Sequence, residues 1–169
     1  RFSIKASNIV TFEEELRYVN DYIMLQKIRM EDHLEVTQEI DEKALQARVP
    51  KISLQTLVEN SILHGLQDGH TTIHIQLKVF YRDHLLYLQV TDDGCGIEPD
   101  ELTRLRQSLH EQTLQDSGKS IGLVNLYNRI HLMYSDQADL QIDSCTGTDS
   151  HTTVTLTVEE KDHESSDHR

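Results

Sequence analysis

HLLYLQVTDDGCGIEPDE, residues 84–101, changes character at Asp92. Its first half alternates apolar and polar side chains, the period of a half-buried strand. Its second half holds Gly94, Gly96 and Pro99. Those residues end the strand in a tight turn and start a helix near the proline, which suits a first helical turn. Just upstream, TTIHIQLKVF (residues 71–80) alternates in the same way, so the two runs predict a β-hairpin. Glycine allows positive φ and lets a ligand approach the backbone. A carboxylate fixed at that strand end can accept a hydrogen bond from an amino group, such as the exocyclic amine of adenine. An ordinary strand-to-helix turn uses the same residue types. A calcium loop does not fit, because the spacing departs from the EF-hand pattern.

Outward from the hairpin, TFEEELRYVNDYIMLQKIRME (residues 11–31) reads as an amphipathic helix. Thr11 and Glu14 make a capping box. Leu16, Val19, Ile23, Leu25 and Ile28 form its apolar stripe. HLEVTQEI, 33–40, has strand character, and Pro50 is expected to open a helix running to about Leu66. Residues 107–120 are polar and weakly periodic, which predicts a mobile loop. A helix follows over 121–134, then strands near 139–144 and 152–158. The acidic tail, 161–169, is expected to be disordered. Helices and strands are mixed without strict βαβ alternation, which predicts an α/β protein with one sheet covered by helices on one face.

The 169 residues fit one ordinary domain with short extensions. With 37% apolar residues, 5% aromatics and no Trp, the core must be built from Leu, Ile and Val. A formal net charge of −13 without a basic cluster excludes nucleic acid as a partner. An anionic nucleotide can still bind where local donors and a divalent cation gather. Cys95 and Cys145 lie far apart without a CxxC pattern and are expected to be reduced. No apolar run approaches a membrane span, so any membrane attachment is expected through segments N-terminal to these residues. His70 and His74 fall on one strand face, but two imidazoles without a third ligand read as surface histidines.

Two further segments carry chemistry. In LQTLVENSILHG (54–65), Leu54, Leu57, Val58 and Ile62 share one helix face, while Ser53, Thr56, Asn60 and His64 form a polar ridge. A carboxamide oxygen on that ridge suits Mg²⁺, which takes few protein ligands and keeps water and phosphate oxygens. A solvated Asn is the plainer alternative. In SGKSIGLVNLYNRI (117–130), a polar segment with Lys119 runs through Gly122 into a helix whose free N–H groups attract phosphate. The segment matches neither the Walker loop nor the Rossmann fingerprint.

In chain order, 54–65, then 90–99, then 117–130, the three segments resemble the N box and first two glycine boxes of the GHKL superfamily, which includes gyrase, heat-shock chaperone and histidine kinase ATPases. EEELRYVNDYIMLQKIRMEDHLEV, LQTLVENSILHG and IGLVNLYNRIHLMY look most like sensor histidine kinases of the LytS/YesM type, over roughly residues 10–158. The resemblance implies a Bergerat-type α+β two-layer sandwich with a mixed, mostly antiparallel sheet. It implies ATP and Mg²⁺ as cofactors, with Asn60 taking the magnesium ion and His64 on the same helix. Asp92 would accept from the adenine amino group, with Gly94, Gly96 and Ile97 against the base. Residues 98–121 would form a lid. Lys119, Gly122 and Leu123 would meet the phosphates, and Thr152 would support adenine recognition through water. Glu59 is the candidate base for orienting the nucleophile.

The same resemblance divides the chain into 1–31, the end of a helical phosphoacceptor region and its connector, 32–160, the ATP-binding domain, and the tail. None of the ten histidines is followed by Phe, so the acceptor histidine of a PHFxxN-like motif is expected upstream. The implied partners are that helical phosphoacceptor domain, a response regulator and a second copy in a homodimer. The implied setting is the cytoplasmic part of a bacterial membrane sensor. Three positions depart from the pattern: Leu63, Ser120 and His151. They leave open a degenerate pseudokinase module. A hydrolytic GHKL ATPase is the remaining alternative, although Thr56 stands where those hydrolases carry an acid.

Overall fold

The computed structural model describes residues 8–65, 72–111 and 121–160. Strand β1 (Ile9–Thr11) leads into helix α1 (Phe12–Met30). Strands β2 (Leu34–Ile40) and β3 (Arg48–Pro50) precede helix α2 (Ser53–Gly65). The hairpin β4 (Ile73–Arg82) and β5 (Leu85–Asp92) is followed by α3 (Pro99–Glu111) and α4 (Ile121–Tyr134). Strands β6 (Ala138–Cys145) and β7 (His151–Glu159) close the described chain.

Five strands form one sheet in the order β2-β4-β5-β7-β6. Only the β2–β4 pair is parallel; the other three pairs are antiparallel. Alternation places Ile73, Ile75, Leu77 and Val79 of β4 on the buried face, together with Leu86, Leu88 and Val90 of β5 and Val154, Leu156 and Val158 of β7. Leu54, Leu57 and Val58 of α2, and Leu123 and Ile130 of α4, belong to the same cluster. So do Phe12, Val19 and Ile23 of α1. The opposite face is polar, with Thr91 and Thr153 hydroxyls 2.9 Å apart and Gln89 donating to Thr155 at 3.1 Å. Its aromatic pair, Phe80 and Tyr87, stacks at 5.0 Å beneath the Arg82 guanidinium.

Several expectations about elements need correction. Pro50 ends a strand instead of opening a helix: it pairs with Ile9 in a two-stranded ladder whose partner segment, β1, was not foreseen. An edge strand tolerates the missing N–H. Helix α2 starts only after Ile52, whose φ of 66° turns the chain. The segment from 107 is helical to Glu111, because Ser108 and Leu109 are buried and Arg106 is fixed to the Ile142 carbonyl at 2.6 Å. Leu25 and Ile28 are 62% and 70% exposed, so the buried stripe of α1 ends at Ile23 apart from partly covered Met30. The capping box of Thr11 and Glu14 is present as expected. The rest of the expected loop, 112–120, and the tail, 161–169, lie outside the described residues, as does His70.

Candidate functional site

Asp92 is the last residue of β5, and its parity points the side chain toward the helices. It is 2% exposed. One carboxylate oxygen accepts from the Gly94 amide at 3.0 Å, which closes the turn over its own side chain. The other oxygen is buried without a hydrogen-bond partner among the described residues. Burial pushes this carboxyl above the ordinary carboxylate range; the Gly94 amide and the nearby Ser61 hydroxyl oppose that, and Asp93 adds to it.

The turn after Asp92 is held by the closing hairpin. A methyl on Gly96, at φ 77°, would lie 2.0 Å from the Cys145 carbonyl oxygen, so β6 passes directly against it. Ile97 N–H donates to Ser144 Oγ at 2.8 Å, and Ser144 in turn donates to the His151 carbonyl at 2.9 Å. Its single hydrogen is then used, so the Thr152 hydroxyl, 2.8 Å away, is the donor between the two. Thr152 pairs with Asp92 across the ladder and is equally buried. Ser150 donates to the Gly94 carbonyl at 2.7 Å. Nothing in the sequence singled out Ser61, Ser144 or Ser150. Ser144 and Ser150 carry no periodic signal, and their partners Ile97 and Gly94 are more than forty residues distant; Ser61 lies on α2, and its neighbour Asp92 belongs to another element.

Helix α2 meets this turn at its C-terminal end. A methyl on Gly94 would lie 3.3 Å from the Gly65 Cα, so the end of α2 rests on the turn. Ser61 stands beside Asp92, and Asn60, its neighbour, is buried and makes no side-chain hydrogen bond among the described residues. One turn earlier, Thr56 lies 3.6 Å from where a methyl on Gly122 would sit. The start of α4 therefore abuts the ridge that carries Thr56 and Asn60, and Leu123 turns into the core. Ile97 is buried beside the turn, and His64 is half-buried on the last turn of α2.

The contacts thus run along one seam: Gly122 against Thr56, one turn before Asn60 on α2, Gly94 against the end of α2, Thr152 across the ladder from Asp92, and Gly96 and Ile97 against β6. Glu59 lies apart from it: its carboxylate accepts from Gln55 at 3.0 Å and stands near Tyr22 of α1. Lys119 and Ser120 lie outside the described residues with the rest of 112–120, whereas residues 98–111 of the expected lid are described, Pro99–Glu111 as helix α3. His74 is bound between Glu35 at 2.9 Å and Asp93 at 2.7 Å on the polar face. Among the described residues no cluster of three or more His, Cys, Asp or Glu could hold a metal ion. Cys95 and Cys145 are not joined in a disulfide.

The family model of histidine kinase-, DNA gyrase B- and HSP90-like ATPases matches residues 49–162, two thirds of the chain. The chain belongs to this family. An uncharacterised sensor-like histidine kinase of Staphylococcus epidermidis is 34% identical over 145 residues, covering 85% of this chain and 28% of that protein. The sensor protein kinase HptS of Staphylococcus aureus is 33% identical over the same length, covering 85% of this chain and 27% of that protein. The chain therefore spans less than a third of the length of these relatives. Full-length ShkA, solved in complex with AMPPNP, shares the fold with a TM-score of 0.62 at 14% identity, covering 89% of this chain and 30% of that one. The sheet and helices are those of the GHKL catalytic domains that histidine kinases carry. No described helix is long and apolar enough to cross a membrane.

Proposed function

We propose that this chain is the ATP-binding catalytic domain of a sensor histidine kinase, holding Mg²⁺-ATP for transfer of its γ-phosphoryl group to a histidine on an upstream helical segment. The observation that carries this reading is the buried oxygen of Asp92 on the helix side of the sheet, beside the Ser61 hydroxyl and without a hydrogen-bond partner among the described residues. A carboxylate left so is costly unless a ligand donor meets it. The amino group of adenine is such a donor. Thr152, whose proton is committed to Ser144, keeps its lone pairs for a bridging water.

Asn60 is the proposed magnesium ligand. The metal supplies charge neutralisation along the triphosphate when bound. On a protein of net charge −13, a neutral carboxamide fits that duty without further crowding by anions. Gly94, Gly96 and Ile97 are proposed to shape the wall against the base, with the backbone of Gly122 and Leu123 meeting the phosphates and Lys119 adding positive charge to them. His64 completes the ridge of α2. Glu59, turned toward Tyr22, is proposed to orient the nucleophile only through a rearrangement of α1. The departures at Leu63 and His151 leave the seam open, since both side chains are exposed.

Residues 1–31 serve in this reading as the connector from the phosphoacceptor helices, with 32–160 as the catalytic domain and 161–169 as a tail. Response-regulator and homodimer partners, and a place on the cytoplasmic side of a membrane sensor, follow from the same reading. The test is calorimetric titration with ATP and ADP in the presence of Mg²⁺. Binding in the micromolar to millimolar range supports the proposal, and none at millimolar concentration rejects it. Joining the upstream helices of the parent and measuring transfer from labelled ATP then tests phosphorylation itself.

A further inference from the structure

Glu15 is 1% exposed, although it lies on a helix whose neighbours Glu13 and Glu14 face solvent. A carboxylate is almost never buried so deeply without partners. Its partners are the unbonded amides that open α2. Ile52 N–H donates to one oxygen at 2.9 Å, and Gln55 N–H donates to the other at 3.4 Å. The Leu54 amide and the Arg129 guanidinium of α4 also favour its charge against the burial that raises its pKa. The four N–H groups at a helix start lack intrahelical partners and carry the positive end of the dipole. Here the acceptor comes from a different helix, 37 to 40 residues away in sequence. Ser53, the first residue of α2, turns its hydroxyl to the Pro50 carbonyl, to which it donates at 2.6 Å.

The clamp is reciprocal. Phe12 and Glu13, the first amides of α1, donate to the carbonyls of Ala47 and Leu45 at 2.8 and 2.9 Å, just before β3. The strands that precede the two helices, β1 and β3, pair with each other. The starts of α1 and α2 are thus tied together from both sides, and the only buried charge in the tie belongs to Glu15 among the described residues concerned. Asn60 lies five residues beyond Gln55, about 7–8 Å further along the helix axis. A sliding or rotation of α1 withdraws the carboxylate from its amides and leaves a buried charge exposed to none of them. Such a state is strongly disfavoured unless α2 follows.

We propose that Glu15 is a positioning residue of the nucleotide site, fixing α2, and with it Asn60, to the connector helix α1. This rests on the reading of Asn60 as the magnesium ligand, so two kinds of measurement are needed. In the first, Glu15→Gln and Glu15→Ala are compared with the unaltered protein for binding of Mg²⁺-ATP and of adenosine, which lacks phosphates. The expected result is a loss of about tenfold in Mg²⁺-ATP affinity for Glu15→Ala, with a smaller loss for Glu15→Gln, which keeps one acceptor oxygen. Adenosine affinity should stay within about twofold. Equal losses for both ligands, or no loss in a folded variant, overturn the proposal.

In the second, amide exchange at Ile52 and Gln55 and the side-chain resonances of Asn60 are followed by NMR without ligand. Glu15→Gln, close in size and able to fold if Glu15→Ala is not, should speed exchange at both amides and shift the Asn60 carboxamide. Unmoved Asn60 resonances overturn the proposal. If the unaltered protein gains nothing from Mg²⁺ in ATP binding, the reading of Asn60 fails, and the NMR measurement alone still decides whether Glu15 positions it.

Discussion

Asp92 combines two properties that pull against each other. Its buried oxygen, without a hydrogen-bond partner among the described residues, weakens the free protein, and in the proposed site the same oxygen would give specificity for the adenine amino group. Asp92→Asn is expected to lower adenine-nucleotide affinity by about 1.5–3 kcal/mol, since it replaces a charged acceptor by an amide that presents a donor. The same change is expected to stabilise the free protein at neutral pH by on the order of 1 kcal/mol, measured by denaturant unfolding. The pH dependence has a definite sign. Burial holds the folded carboxyl above its ordinary value of 3.8, so between the two values the folded state binds more protons than the unfolded chain. That stabilisation is present at low pH and is lost as pH rises through the raised value. Replacement by Asn should flatten this segment of the stability curve. Affinity for nucleotide should fall as pH drops through the same range, because the protonated carboxyl no longer offers a charged acceptor. A pH-independent affinity would count against Asp92 as the adenine acceptor.

At the level of elements, the turn after β5 and the closing hairpin behave as one piece. Gly96 and Gly147 both have positive φ, 77° and 89°, but only Gly96 is enclosed. Gly147→Ala should cost about 1–2 kcal/mol, the strain of φ alone. Gly96→Ala adds a collision with the Cys145 backbone, so it should cost more than about 2 kcal/mol and also weaken nucleotide binding by shifting Ile97. Equal costs for the two, measured by thermal unfolding, would show that β6 yields to the turn. The hairpin and the helix after Pro99 were legible because period-two alternation and a glycine–proline break are local signals. So was the capping box of α1. The pairing of β1 with β3 was not, because three-residue strands have too little periodicity and their partners are about forty residues apart. Leu25 and Ile28 misled because spacing alone gives an apolar stripe but not the length of its cover. Asn60, Asp92 and Thr152 are proposed from the resemblance of their motifs. That Ser144 and Glu15 support them depends on contacts between distant elements, which no local pattern records.

For the molecule as a whole, the proposed site sets Asp92 on the sheet as adenine acceptor and Asn60 as cation ligand on a helix whose end rests on the turn after Asp92. A ligand touching both should stabilise the fold more than one touching either. Binding raises stability by RT ln(1 + [L]/Kd), about 2.7 kcal/mol at a hundredfold excess over Kd, or roughly 5–10 °C in Tm for a chain of this size. With a net charge of −13, the protein repels a free triphosphate over long range. Mg²⁺ removal by EDTA should therefore reduce the ATP-dependent rise in Tm to less than that given by adenosine at the same concentration, while leaving the adenosine effect unchanged. Raising ionic strength should partly restore binding of metal-free ATP, because screening weakens the repulsion and leaves the short-range contact with Asp92 intact. Asn60→Ala should make the protein with Mg²⁺ respond like the unaltered protein in EDTA. If Asn60→Ala keeps the full Mg²⁺-dependent gain, the cation is held elsewhere along the seam, and the helix contributes shape to the site but not the metal tether.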